Sequence, residues 1–149
     1  MKKICYLIVM LSTVTVSRAQ SSEDSVKAAV NLLFEGMNKS DASLLKAAFA
    51  DSAILQTIVV NKEGKVAIRN ESVDDFAVSI GKLEKGSADE RIKIGTIMID
   101  GPLAIVWAPY KFYFKGKFSH CGVDSFQLVR INGAWKIQYL IDTRRRDCE

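Results

Sequence analysis

The sequence GVDSFQLVRINGAWKI, residues 122–137, contains the strongest structural signal in the chain. Apolar and polar residues alternate on both sides of Asn132-Gly133, and an Asn-Gly pair between alternating segments is typical of a two-residue, type I′ β-hairpin loop. The pattern therefore predicts two long antiparallel strands, 118–130 and 135–143, that pair across this turn. With Ile131 opposite Ala134, the register places Asp124 opposite Ile141 and Phe126 opposite Tyr139.

Side chains alternate along a strand, so every second residue of 118–130 shares one face of the sheet. Burial of the apolar residues makes this face the inner one. It is formed by Phe118, His120, Gly122, Asp124, Phe126 and Leu128.

The preceding strand, 103–114, enters the sheet through the turn at 115–117. A two-residue loop would place Lys111 opposite His120 and bury a charge, so we predict a three-residue loop. That loop gives the pairs Phe114 with Phe118, Phe112 with His120 and Tyr110 with Gly122. Pro109 predicts a β-bulge that returns Trp107 to the inner face.

Upstream of these strands, the pattern changes to a helical period. Apolar residues recur at three- and four-residue intervals between 26 and 37, which predicts one amphipathic helix. The elements predicted in chain order are this helix with Val26, Ala29, Val30, Leu33, Phe34 and Met37 on its apolar face, a short helix after Asp41, strands 53–60 and 66–70, a helix capped by Ser72, and a strand at 91–99.

Residues 1–19 have the layout of a secretory signal peptide. Lys2 and Lys3 precede a largely apolar stretch of 13 residues, 4–16, and Ser17-Arg18-Ala19 places small residues before a cleavage point at Gln20. The stretch is short for a membrane span, which is the alternative. We expect an exported chain, periplasmic or extracellular, whose single domain comprises 20–149 and has no contact with a membrane after cleavage.

The charge of the expected mature chain is nearly balanced. Three of the 21 basic residues lie in 1–19, which leaves 18 against 17 acidic residues, a net charge of +1. This balance does not favour a nucleic-acid partner. One His and two distant cysteines, Cys121 and Cys148, do not match a zinc pattern, so neither a metal nor another cofactor is expected. Whether the two cysteines pair depends on the C-terminal tail folding back onto a strand, and the sequence leaves this open.

The order of elements, the spacing Gly36…Asp41…Leu45…Phe49 and the stretch 122–137 together resemble the nuclear transport factor 2-like superfamily. The chain is most similar to secreted bacterial members grouped as putative lumazine-binding or polyketide-cyclase-like (SnoaL-like) proteins. The resemblance implies an α+β, cystatin-like fold: a curved, mixed, mainly antiparallel sheet of about six strands wrapped around three helices, forming an open cone with an internal pocket. It also implies a homodimer through the outer face of the sheet, where Val123, Val129 and Ile97 are predicted to lie.

Two polar residues on the predicted inner face are candidates for function. A buried, unpaired carboxylate is costly, so Asp124 must be hydrogen-bonded, hydrated or functional. His120 lies roughly 13 Å along the same strand, too far for a direct acid–base pair. The resemblance implies that a pocket Asp or His can act as a general base, which makes Asp124 and His120 the candidate catalytic residues. The structural alternative is an Asp124 that accepts hydrogen bonds from Trp107 or a tyrosine.

Two classes of function remain open for this cone. The first is a domain that binds a small apolar molecule, or a non-enzymatic interaction domain, and we expect this one because bulky side chains crowd the cone. The alternative is a cofactor-independent lyase or isomerase that uses acid–base residues, which a void shared by His120 and Asp124 would favour. The predicted pocket lining is Phe34, Trp107, Tyr110, Phe112, Phe126 and Tyr139.

Overall fold

The computed structural model describes residues 21–148, so the signal-peptide prediction for 1–19 lies outside the described residues. None of the helices in the described range is long and apolar enough to cross a membrane. The elements are α1 (Ser22–Lys39), α2 (Ala42–Ala47), β1 (Phe49–Val60), β2 (Val66–Glu71), α3 (Val73–Gly81), β3 (Ala88–Ile92), β4 (Thr96–Asp100), β5 (Leu103–Phe114), β6 (Lys117–Ile131) and β7 (Ala134–Thr143).

Each helix begins at a side-chain cap that the sequence supplies. Ser21, Asp41 and Ser72 accept hydrogen bonds from backbone N–H groups in the first turns of α1, α2 and α3. At the other end of α1, a Cβ at Gly36 would lie 2.6 Å from the backbone nitrogen of Leu45. Only glycine therefore allows α2 to pack this closely against α1.

The sheet contains seven strands in the order β2-β1-β7-β6-β5-β3, and β4 also pairs with β5. Every pairing is antiparallel except that of β1 with β7, which is parallel. The helices pack on one face of this curved sheet, and the apolar residues between the two layers form the core. The predicted fold class, three helices within a curved, mainly antiparallel sheet, is confirmed.

The single strand predicted at 91–99 is wrong, because two strands occupy this region. β3 pairs with the second half of β5 and β4 with the first half. The ladder breaks opposite Pro109, whose nitrogen has no hydrogen to donate. The irregularity thus lies between β3 and β4, the strands that pair with β5. In β5 itself, buried and exposed residues alternate without a bulge from Leu103 to Lys111. Trp107 accordingly lies on the outer face with 52% of its surface exposed, contrary to the prediction.

The β6–β7 hairpin follows the predicted register only as far as its first bulge. Ile131 pairs with Ala134 and Leu128 with Ile137, across a turn in which Asn132 and Gly133 both have positive φ. Gln138 is then inserted as an extra residue of β7. Beyond it, Asp124 pairs with Asp142 and Phe126 with Leu140, so the predicted partners Ile141 and Tyr139 are wrong.

The β5–β6 hairpin has a two-residue loop, Lys115-Gly116, in place of the predicted three-residue loop. Phe114 therefore pairs with Lys117 and not with Phe118. An extra residue, Ser119, bulges from β6 and restores the predicted inner pairs, Phe112 with His120 and Tyr110 with Gly122. The predicted loop length is wrong, but the predicted pairing of the inner-face residues of β5 and β6 at these two positions is confirmed.

The outer face of the sheet differs from the prediction at one position. Val123 and Val129 lie on this face, opposite Pro109 and Leu103 of β5. Ile97 does not, because it pairs with the buried Val106 and packs against the core. The large apolar side chains exposed here on β4 and β5 are Met98, Leu103, Ile105 and Trp107.

The C-terminal tail folds back along β6 and is fastened there. Arg145 exchanges both backbone hydrogen bonds with Cys121, and Cys121 forms a disulfide with Cys148. A Cβ at Gly122 would overlap the carbonyl of Thr143, so glycine permits this close crossing. The structure thus answers the open question of cysteine pairing.

Replacing Cys148 with Ser should lower the free energy of unfolding by about 3.5 kcal/mol, because the disulfide spans 27 residues and restricts the unfolded chain. Urea unfolding of C148S and of the wild type without reductant measures the difference. As a control, reductant should bring the wild type to the stability of C148S and leave C148S unchanged. Equal stability under oxidising conditions would contradict the prediction.

Candidate functional site

A cavity of about 330 Å³ lies between the helices and the concave face of the sheet. Its walls are mainly apolar and come from α1, from α3 and the residues just after it, and from three strands: Leu33, Phe34, Met37, Leu55, Phe76, Ile80, Leu83, Phe112 and Leu140. Its polar lining residues are Thr57, Arg69, Glu71, Ser79, Glu90, His120, Asp124, Asp142 and Arg144. The volume falls in the range of small-molecule sites in proteins.

The register of the sheet places polar residues side by side on its concave face. Thr57 of β1 pairs with Asp142 of β7, and Asp142 pairs with Asp124 of β6. The bulge at Gln138 creates this row, because without the extra residue Asp142 would point to the outer face. Three adjacent strands thus direct polar side chains into the cavity.

The carboxylate of Asp142 is buried and accepts hydrogen bonds from two side chains. It is 7% exposed, and its Oδ2 accepts from the Tyr110 hydroxyl at 3.1 Å and from Arg144 Nε at 2.8 Å. Arg144 Nη2 also donates to Thr57 Oγ1 at 3.2 Å. Asp142 therefore has a positive partner at the cavity wall.

Asp124 has no such partner. It is 3% exposed, and no N–H or hydroxyl group of residues 21–148 donates to its Oδ2. The carboxyl of Glu90, a partly buried residue of β3, lines the cavity with it and acts on its charge. Burial first, and then the negative charge of Glu90, raise the pKa of Asp124 well above its ordinary value. Burial likewise raises the pKa of Glu90 to about 7, so the two carboxyls share a proton near neutral pH.

His120 lines the same cavity beside two aromatic rings. Its ring centroid lies 5.0 Å from that of Phe112 and 5.7 Å from that of Tyr110. Its Nδ1 is 3.0 Å from the hydroxyl oxygen of Ser119. Burial, followed by the positive charge of Arg144, lowers the pKa of His120, so the imidazole is neutral at pH 7.

The structure brings four of the predicted site residues to the cavity and places four elsewhere. Asp124, His120, Phe34 and Phe112 line it. Tyr110 lies behind the wall, where it bonds to Asp142, and Phe126 is fully buried in the core against Phe34. Trp107 is on the outer face because β5 has no bulge. Tyr139 lies outside the cavity because β7 has a bulge at Gln138. Its hydroxyl donates to Gln56 at 2.7 Å.

Three important lining residues escaped the sequence interpretation. Glu90 lies one residue before the strand predicted at 91–99, although alternation with the buried Ala88 would have placed both on the inner face. Asp142 was missed because the predicted register placed Ile141, and not Asp142, opposite Asp124. Arg144 begins a run of three arginines after the last predicted strand, a pattern typical of a solvated tail, and only the return of that tail to β6 places it at the cavity.

Within residues 21–148, no group of His, Cys, Asp or Glu side chains has the arrangement of a metal site. The polar cluster contains a carboxyl pair that donates or accepts hydrogen bonds, a neutral imidazole and a guanidinium held by Asp142.

A half-cone of sheet closed by three helices over an internal cavity defines the nuclear transport factor 2-like, or cystatin-like, class of fold. The model of the putative lumazine-binding family matches residues 21–139, and the chain belongs to this family.

Solved structures of low sequence identity share the fold. A nuclear transport factor 2-like protein of unknown function from Shewanella baltica is similar with a TM-score of 0.64 at 18% identity, covering 84% of this chain and 94% of that one. One from Methylobacillus flagellatus gives a TM-score of 0.63 at 18% identity, with 85% and 95% covered. A cystatin-like domain of unknown function from Nostoc punctiforme gives 0.64 at 14% identity, with 86% and 81% covered. A search of the curated proteins finds no match.

The raised pKa values make stability depend on pH in a defined direction. The folded chain holds protons on Glu90 and Asp124 that the unfolded chain releases near pH 4, so their contribution to stability is full below about pH 4. The contribution of Glu90 is lost as the pH rises through about 7, and that of Asp124 is also lost as the pH rises. Replacing both residues with their amides (E90Q/D124N) should remove that loss. We expect the variant to gain about 2 kcal/mol relative to the wild type between pH 4 and pH 8.

Thermal and urea unfolding across this pH range measure the effect. The matched control is E84Q/D51N, which removes two exposed carboxyls and should follow the wild type at every pH. A constant difference between E90Q/D124N and the wild type would show that the carboxyl pair is not protonated by burial.

Proposed function

We propose that the cavity binds a small molecule with an apolar body and a polar end, and that the chain is a ligand-binding domain. The observation that carries this proposal is Asp124, a buried carboxyl that lines the cavity and whose Oδ2 receives no hydrogen bond from the N–H and hydroxyl groups of the described residues. A buried polar group without partners costs free energy. A ligand that bonds to Asp124 while its body covers the apolar wall recovers that cost.

The name of the family supports a flat, nitrogen-rich ligand. Lumazine, the compound in that name, is a small bicycle with ring N–H donors and carbonyl acceptors. A carboxyl pair that shares one proton both donates and accepts, so Glu90 and Asp124 suit such an edge. Phe34, Phe76 and Phe112 supply aromatic surface for the body of the ligand.

A second candidate, a cofactor-independent lyase or isomerase, is favoured by one specific observation. His120 and Asp124 line the same cavity, and the bulky residues expected to fill it, Trp107 and Tyr139, lie outside. The neutral imidazole can accept a proton, and the carboxyl pair can hold one near neutral pH. A substrate between them would exchange protons at two separate atoms.

We also propose that the protein is exported and works as a homodimer. The disulfide suits an oxidising compartment, in line with the signal-peptide pattern of residues 1–19. The apolar side chains exposed on the outer face of β4 and β5 would be covered by a second copy.

Ligand binding can be tested by calorimetry with a panel of small aromatic compounds that includes lumazine. A compound that binds the wild type should bind D124N about tenfold more weakly, because the amide carries no charge and cannot exchange a proton with Glu90 to match the ligand's donors and acceptors. D51N, which changes an exposed carboxyl on β1, should bind as the wild type does. Equal binding to D124N and the wild type would place the ligand outside the cavity and overturn the proposal, whereas chemical conversion of a bound compound would establish the second candidate.

The homodimer can be tested by light scattering of residues 20–149. We expect twice the chain mass at micromolar concentration, and half of that for Ile105→Glu, which places a charge on the outer face of β5. Ile68→Glu, on exposed β2 at the opposite edge of the sheet, should remain dimeric. A wild-type chain of monomer mass would contradict the proposal.

A further inference from the structure

One part of the cavity wall brings together more carboxyl groups than cationic groups. Three carboxyls, those of Glu90, Asp124 and Asp142, face one guanidinium, that of Arg144, and Asp142 is already bonded to it. The side chains that α1 and α3 direct into the cavity are apolar or, at Ser79, uncharged. The remaining titratable groups that face the pair are the neutral His120 of β6, the Tyr110 hydroxyl of β5, and the opposite charges of Arg69 and Glu71 on β2.

The neighbours of the carboxyl pair in the sheet cannot satisfy it. Asp124 is flanked by Ala108 on β5 and by Asp142 on β7. Glu90 lies on the edge strand β3, where its partner on β5 is Phe112. Ala108 and Phe112 have no polar side-chain atoms, and Arg144, the cation whose charge acts on both carboxyls, is bonded to Asp142, so the neighbouring strands provide no ion-pair partner that belongs to the carboxyl pair alone.

Both carboxyls nevertheless open onto a cavity that admits a ligand, and no N–H or hydroxyl group of the described residues donates to the buried Asp124 Oδ2. We propose that this part of the cavity recognises a cationic nitrogen, an ammonium or amidinium group, that Glu90 and Asp124 hold between them. The inference rests on the proposed binding function and names the chemical class of its ligand. The apolar walls of the cavity then define the rest of the ligand, an aromatic or aliphatic body attached to the cationic group.

Without ligand, burial raises the pKa values of both residues, and a shared proton takes the place of the cation. A cationic ligand must displace this proton. Its affinity should therefore rise as the pH rises from about 5 to about 8, and up to one proton should be released for each ligand bound. A neutral ligand of the same shape displaces no proton and should bind independently of pH.

Four compounds of one shape separate these cases: benzylamine and benzamidine, which are cations, benzyl alcohol, which is neutral, and benzoate, an anion. Calorimetry at pH 5 and pH 8, in two buffers of different ionisation enthalpy, gives affinity and proton release for the wild type. We expect the two cations to bind at least about tenfold more tightly than benzyl alcohol at pH 8, with proton release, and benzoate to bind most weakly.

Variants assign the effect to the pair. E90Q and D124N should each remove most of the preference for cations and its dependence on pH, because each variant weakens the binding of the two cations more than that of benzyl alcohol. E84Q, which alters an exposed carboxyl, should behave as the wild type. Melting temperatures show that each variant is folded, and the wild-type pH series does not depend on any variant.

The outcomes distinguish the two proposals. If benzyl alcohol binds as tightly as the cations at both pH values, the cation site is overturned while the binding function stands. If none of the four compounds nor any member of the lumazine panel binds, the binding function fails and the cation site with it.

Discussion

The packing of α1 on the concave face of the sheet is the interaction on which the rest of the molecule depends. The first turns of the helix bury Val26, Val30 and Leu33 against the sheet, where Phe126, Leu128 and Ile137 are inaccessible to solvent. Toward its C-terminal end, Phe34 and Met37 of the same helix line the cavity together with Asp124 and His120. One helix therefore completes the core at one end and roofs the cavity at the other, and removing its apolar stripe would abolish both.

β6 shows how a single strand serves both regions. Its inner face changes from Leu128 and Phe126 in the core to Asp124, Gly122 and His120 at the cavity. The absence of a side chain at Gly122 lets Thr143 and Tyr110 approach, and their closeness positions Asp142 beside Asp124. The polar end of the cavity thus depends on the close backbone contact that Gly122 allows and on the β-bulge at Gln138, which sets the register of β7.

The sequence predicted those parts of the structure that are determined by interactions between residues close together in the chain. The Asn132-Gly133 turn, the helix caps and the pairing of Phe112 with His120 follow from dihedral preferences, hydrogen bonding and burial. The bulged residues Ser119 and Gln138 have no distinguishing chemistry, because any residue can be inserted where sheet curvature requires it. Each bulge reverses the face of every residue beyond it, which explains why Tyr139 was misplaced and Asp142 missed. Glu90 and Arg144 reach the cavity only through contacts distant in sequence, so the candidate site was predicted far less completely than the fold.

The parallel pairing of β1 with β7 also has a kinetic consequence. The hairpins that join β5, β6 and β7 link neighbouring segments, whereas Leu55 and its partner Leu140 are separated by 85 residues. Closing so long a loop carries a larger entropic barrier than closing a hairpin, so β1 is expected to join the sheet last. Leu55 and Thr57 line the cavity. The enclosed space therefore comes into being with the final step of folding, and a chain that has formed only its C-terminal meander has the acidic residues of β6 and β7 but no chamber around them.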